Sequence, residues 1–204
     1  MTLWVVALFW GWLLAVLFLR AYRVWLFYYL LGSVGAAYWV ILVARDVLGL
    51  EPFLAHSVAQ AVHLVANAVG VQTRIFANAP GILLVLVVVQ PVGWTVLQIG
   101  VESSGLLEIS VLASLLSFYP GWSLRRRLAS ILVGVVATWA ANVLRLFIIV
   151  VALHFYGKQA LVLAHTFVGK FAFFVMTVGI YWYLITRPTV RRPLVATKAR
   201  GAPT

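Results

Sequence analysis

The sequence predicts an all-α polytopic membrane protein: about five transmembrane helices, an extracytoplasmic amphipathic helix and a candidate β-hairpin. Three observations predict it. The 204 residues are 65% hydrophobic and 9% charged, with a mean hydropathy of +1.08, which excludes an ordinary soluble domain. Apolar runs recur, most of them near the ~20 residues that a helix needs to cross the hydrocarbon core. Basic residues gather in short segments between those runs.

The first run, residues 3–19, lacks a basic n-region and a small-residue cleavage site, so it reads as a retained span rather than a signal peptide. It ends at Arg20 and Arg23. The second, 24–44, ends at Arg45-Asp46; its Gly32, Ser33, Gly35, Ala36 and Ala37 would let a neighbouring helix approach closely. Residues 52–69 place Phe53, Leu54, Val58, Val62, Val65 and Val69 at helical spacing, with His56, Gln60, His63 and Asn67 between them. That pattern predicts an amphipathic helix lying on the membrane. Residues 82–89 and 94–101 are β-prone and flank Gln90-Pro91-Val92-Gly93, which predicts a hairpin. The competing reading is a membrane-crossing helix over 82–100 with Pro91 inside it. Three more spans follow, 106–119, 128–155 and 161–185, separated by Arg125-Arg126-Arg127 and by Tyr156-Gly157-Lys158.

Charge decides between hairpin and helix. Net charge is +11, from 15 Lys and Arg against 4 Asp and Glu. With a hairpin there are five spans, and Arg20, Arg23, the triple arginine and the tail cations Arg187, Arg191, Arg192, Lys198 and Arg200 fall on one side. Those are ten of the fifteen basic residues, which makes that side cytoplasmic. The N-terminus then lies outside and the C-terminus inside. Residues 1–186 form a single membrane domain, 47–102 its extracytoplasmic cap, and 187–204 a basic cytoplasmic tail predicted to be disordered. The basic excess is accounted for by contact with anionic lipid of the bilayer; no motif suggests nucleic acid. The absence of cysteine excludes disulfides and Cys-ligated metals and leaves the redox compartment unreadable.

Ionisable groups inside spans are costly and often functional. Here they are Glu108, Arg145, His165 and Lys170. Ser103 and His165 fall at the outer starts of the third and fifth spans. Arg145 lies about 10 residues, roughly 15 Å, below the outer end of the fourth and can snorkel upward. Ser103, Arg145 and His165 are therefore expected to converge under the outer face. Glu108 and Lys170 lie five residues deeper and form a candidate ion pair of structural character. Asn142 shares a helix face with Arg145. Plainer roles exist for each: Ser103 and Ser104 as a helix N-cap, Arg145 as a structural cation, His165 as an interfacial histidine. His56, His63 and His154 read as interfacial, the first two being too widely spaced for a metal site.

Glu102-Ser103-Ser104-Gly105, Asn142-Val143-Leu144-Arg145 and His165-Thr166-Phe167-Val168-Gly169 follow one another in an order that resembles the exosortase/archaeosortase family of membrane transpeptidases. In that family a Cys stands in a short Glu- and Gly-containing run at the outer start of a helix, an Asn-x-x-Arg motif lies in a later span, and a His opens the last conserved span. The resemblance covers about residues 71–185. It departs at the nucleophile, where this chain has Ser103, with Ser104 next if the register slips. Residue 103 is then either a Cys→Ser replacement or a natural variant with altered or absent activity.

The resemblance implies a cysteine-type transpeptidase or protease for protein sorting at the cell surface. It would cleave the C-terminal signal of secreted proteins, a short motif followed by a membrane helix and a basic tail, and transfer them to an acceptor. It implies Ser103 at the nucleophile's position, His165 as general acid and base, and Arg145 as the stabilising charge. Glu102, Ser104, Gly105, Glu108, Asn142 and Lys170 would bind substrate or support the site. Neither metal nor cofactor is implied. The rival is a non-catalytic membrane scaffold or assembly subunit with the same fold. An intramembrane serine protease is disfavoured because Gly-x-Ser-x-Gly is missing, and a transporter because neither broken spans nor internal symmetry is evident.

Overall fold

The computed structural model describes residues 3–76, 84–90, 93–99 and 101–188. Among the described residues, four helical segments are long and apolar enough to cross a membrane: Trp4–Ala21, Trp25–Val47, Leu124–Tyr156 and Leu163–Thr186. The chain is thus mostly helical and has the composition of a multi-pass membrane protein, with one small antiparallel sheet.

Helices α1 (Leu3–Ala21) and α2 (Trp25–Leu42) form a hairpin closed by Arg23 in the left-handed region at φ 59°. The small residues of α2 act as spacing predicts. A Cβ on Gly35 would run into the Trp12 ring, and one on Gly32 into the Phe118 ring. Trp12 Nε1 donates to the Leu31 carbonyl at 2.9 Å, so the close approach also satisfies the indole. A π-helical turn, Val43–Val47, carries α2 onward to the cap.

The cap begins with α3 (Leu50–Ala68) and continues with β1 (Thr73–Phe76), β2 (Leu84–Gln90) and β3 (Gly93–Ile99). The order is β1-β2-β3, all antiparallel, with Thr73 opposite Val88 and Leu86 opposite Leu97. The hairpin reading therefore holds and the membrane-crossing helix over 82–100 does not. Its physical basis is period-two burial: Leu86, Val88, Thr95 and Leu97 point into the core while Trp94, on the other face, is exposed. Residues 82, 83, 91, 92 and 100 of that expectation lie outside the described residues, as does the tail from 189 onward.

The amphipathic helix is present, but its buried face differs from the expected one. Ala55, Val58, Ala59, Val62 and Ala66 are buried, whereas Phe53, Val65 and Val69 are exposed. Three alanines make that face flat enough to lie on protein rather than lipid. It packs against the sheet and against Leu146, Ile149, Val150 and Leu153 of α6 (Leu124–Tyr156). Trp139 of α6 adds a bond from Nε1 to Ser57 Oγ at 3.1 Å. With 33 residues α6 is about 50 Å long, well beyond a ~30 Å hydrocarbon core. Its far end is the post on which the cap is built.

Between sheet and post come α4 (Val101–Ser104) and α5 (Leu106–Phe118). The expected span over 106–119 is a helix of 13 residues, about 20 Å, too short to cross alone because the chain breaks at Gly105. After α6, a π-helical segment (Leu163–Gly169), α7 (Lys170–Tyr181) and a π turn (Trp182–Thr186) complete the last long segment.

The end opposite the cap is shared by the α1–α2 turn, the α5–α6 turn and the end of α7. Tyr28 packs on Phe118 and Tyr29 on Tyr119. Arg127 donates to the Tyr119 carbonyl at 3.1 Å, and Leu184 joins Leu112, Leu116 and Trp122 in one apolar cluster. Arg20, Arg23, Arg125, Arg126, Arg127 and Arg187 therefore lie at one end of the molecule.

Replacing Gly32 by Val forces the Phe118 ring aside and should cost about 1–3 kcal/mol, the range for overpacking. Gly11 has open space around it, so Gly11→Val should be neutral. Thermal unfolding of the two variants in detergent, side by side, checks the contrast.

Candidate functional site

Gly105 fixes the local geometry. It adopts φ +79°, a conformation that costs an L-residue about 1–2 kcal/mol. A Cβ there would lie 3.3 Å from Asn142 Nδ2. The left-handed residue ends α4 and starts α5 on a new axis. Ser104 Oγ accepts from the Leu106 N–H at 3.2 Å, so that hydroxyl serves the start of α5 from one residue before its N-cap, which is Gly105 and not a serine.

Asn142 stands beneath this break. It is fully buried, and its Nδ2 donates to the Ser103 carbonyl at 2.7 Å. Its Oδ1 is buried with no hydrogen-bond partner among the described residues. The bond joins two of the three sequence motifs across 39 residues of chain. Ser103 itself is only 4% exposed, covered where α3 packs on α4. The backbone of Glu102 belongs to α4; its side chain lies outside the described residues.

Arg145 follows Asn142 by three positions and shares its buried face, being 4% exposed. Its guanidinium carbon lies 5.3 Å from the centre of the Phe173 ring. Arg145 opens onto a cleft of about 410 Å³ between α5, α6 and α7, also lined by Glu108, Lys170, Phe173, Phe174 and Thr177. Glu108 and Lys170 thus meet at one cleft, with Arg145 beside them. The cleft lies next to the cap core, since Leu146 and Ile149, the next residues on that face of α6, belong to that core.

His165 is half-buried on the π-helical segment Leu163–Gly169, which packs on α6. Ala164 enters the cap core, and Gly169 fits closely against Ile149, where a Cβ would meet the Ile149 side chain at 2.7 Å. The i→i+5 pattern of a π-helix turns positions five apart toward a common face, which an α-helix does not do. Lys170, the first residue of α7, follows this segment, and its N–H is bonded to the Phe167 carbonyl. Neither Ser103 nor His165 is among the lining residues of the Arg145 cleft.

Sequence reasoning missed the aromatic wall. Lys170, Phe173, Phe174 and Thr177 have i, i+3, i+4, i+7 spacing, so the face was readable once Lys170 was singled out. It also missed a larger cleft of about 660 Å³ on the cap, lined by Asn67, Gln72, Arg74, Phe76 and Trp94 among others. There His63 Nδ1 and Thr73 Oγ1 are hydrogen-bonded at 2.7 Å, and the Lys158 ammonium sits 5.4 Å from the centre of the Trp94 indole. No family model matches the chain, and no curated protein or solved structure matches it.

Asn142→Ala should leave the buried Ser103 carbonyl without its donor and cost about 1–3 kcal/mol. Gly105→Ala should cost a similar amount through backbone strain. Hydrogen exchange across residues 101–106, measured with thermal unfolding, should show faster exchange in both variants. Unchanged exchange in Asn142→Ala would mean that the amide does not hold the turn.

Proposed function

We propose that the chain is an exosortase-like membrane transpeptidase in which Ser103 occupies the nucleophile's position, so that this form is inactive or weakened. The observation that carries the reading is the Asn142 bond to the Ser103 carbonyl, which ties the Glu-Ser-Ser-Gly run to the Asn-x-x-Arg face. Arg145 then lies one turn from that anchor, in a cleft with Glu108 and Lys170. The positive-inside rule puts the arginine end in the cytoplasm and the cap outside, with α4 and α5 together completing a fifth pass.

In the cysteine form the chemistry runs as follows. The thiolate at position 103 attacks the carbonyl carbon of the scissile peptide, and Arg145 stabilises the charge that develops on oxygen. The C–N bond breaks, and the departing amine takes a proton from the His165 imidazolium. An acceptor amine, hydroxyl or water then attacks the thioester, giving its proton to His165 and releasing the thiolate. With Ser103 the attacking group is an alcohol of far higher pKa, which His165 would have to deprotonate during attack. Because Ser103 is buried under α3, substrate entry requires the α3–α4 contact to open.

The rival reading, a non-catalytic assembly subunit, is favoured by that burial and by the hydroxyl itself. Co-expression with a secreted substrate bearing a C-terminal motif, membrane helix and basic tail separates the two. Ser103→Cys should raise processing, followed as a mass shift on a gel. Adding Arg145→Ala or His165→Ala to the cysteine form should lower it by about 100-fold or more. No gain on Ser103→Cys with a substrate processed by an active relative would favour the subunit, and turnover retained without Arg145 or His165 would remove that residue from the mechanism.

A further inference from the structure

The arginine end carries a second site. Arg126 and Ser130 of α6 face Tyr183 and Arg187 across a cleft of about 430 Å³. Each guanidinium is steered by a ring: the Arg126 guanidinium carbon lies 4.5 Å from the Trp122 centroid and that of Arg187 lies 5.3 Å from the Tyr183 centroid. The chain has only four carboxylate side chains. Asp46 and Glu51 lie at 3.9 and 3.5 Å from Arg45 near the start of α3. Glu108 lines the Arg145 cleft, and Glu102 belongs to α4. None of the four is among the lining residues of this cleft, so two cations converge there with no carboxylate in the wall among the described residues.

The cleft continues into an apolar groove. A second cavity of about 440 Å³ runs along α6 and α7, lined by Ala137, Ala140, Ala141, Met176 and Gly179, and shares Tyr183 and Leu184 with the first. From Met176 to Tyr183 the helix rises about 10 Å, room for the first part of one acyl chain. A transmembrane peptide followed by a basic tail would bring like charges against Arg126 and Arg187, so charge selects against it. An anionic lipid meets both demands, with a phosphate at the arginines and the serine hydroxyl and a hydrocarbon chain in the groove. We infer that the α6–α7 face binds one anionic phospholipid from the leaflet at the arginine end, headgroup on Arg126, Ser130 and Arg187, one acyl chain along Ala137, Ala140 and Gly179.

Native mass spectrometry of the full chain in detergent, titrated with dioleoyl-phosphatidylglycerol or dioleoyl-phosphatidylcholine, tests it. The expected result is one retained phosphatidylglycerol, bound at least tenfold more tightly than phosphatidylcholine. Arg126→Gln/Arg187→Gln should weaken it by tenfold or more, and Arg20→Gln/Arg23→Gln, at the same end but outside the cleft, should leave it unchanged. Gly179→Leu should weaken it several-fold, because a Cβ at Gly179 meets open space and the larger side chain fills the groove without a clash. If the double variant does not fold, the exposed Arg187→Gln alone carries the same expectation. Equal retention of the two lipids, or equal losses in both arginine pairs, would overturn the site in favour of diffuse surface charge. Binding of water-soluble glycerophosphoglycerol as tight as that of the whole lipid, or an unaffected Gly179→Leu, would overturn the acyl groove. No arm involves Ser103, so these outcomes are independent of the catalytic proposal.

Discussion

A single buried amide organises the middle of this molecule. Helix α4 has four residues, far too few to be stable on its own, and it hangs between a small sheet and a helix that starts on a different axis. Its position comes from what it touches: α3 on one side, and Asn142 Nδ2 on the Ser103 carbonyl on the other. In a low-dielectric interior such a bond is strong and its loss is expensive. Asn142 is fully buried, so water cannot replace it. The left-handed Gly105 is the other half of the same device, because the absence of a Cβ is what lets Asn142 come close.

Helix α6 distributes its buried face among three tasks. Asn142 holds the Ser103 turn, Arg145 opens onto the cleft, and Leu146, Ile149, Val150 and Leu153 hold the cap. Because one rigid element does all three, the position of the Arg145 side chain is coupled to the cap's packing. Ile149 against Gly169 extends that coupling to the segment bearing His165. A site shared by separate helices is held in register by the apolar contacts one turn above it.

The sequence made the long spans, the hairpin and the close α1–α2 approach legible, since each depends on strong local signals: apolar length, β-branched runs round a turn, and glycine where a ring must fit. What it hid depends on tertiary contact. Strand β1 is four residues long, too short for a period to show, and exists because Thr73 to Phe76 pair with β2. The shortness of α5 follows from one backbone angle at Gly105. The buried face of α3 was misassigned because alanine carries little hydropathy yet packs closest, so Ala55, Ala59 and Ala66 outweigh Val65 and Val69. Of the site, the residue types and their order were readable. The Asn142 bond and the Phe173 wall were not, because both depend on how three helices meet.

The charge balance explains a feature that runs through the whole chain. With 15 basic residues and 4 acidic ones, most cations have no carboxylate within reach, and the cost of placing them near hydrocarbon has to be offset some other way. Aromatic faces provide it. Arg126 lies over Trp122, Arg145 over Phe173, Lys158 over Trp94 and Arg187 over Tyr183. Each such contact contributes about 0.5–2 kcal/mol, more where water is excluded. A ring differs from a carboxylate in one consequential respect: it steers a guanidinium without cancelling its charge. Arg126 and Arg187 meet this condition at the arginine end, whereas Arg145 shares its cleft with Glu108. The scarcity of acids is therefore felt most at the arginine end, where the cleft between Arg126 and Arg187 has no carboxylate in its lining among the described residues.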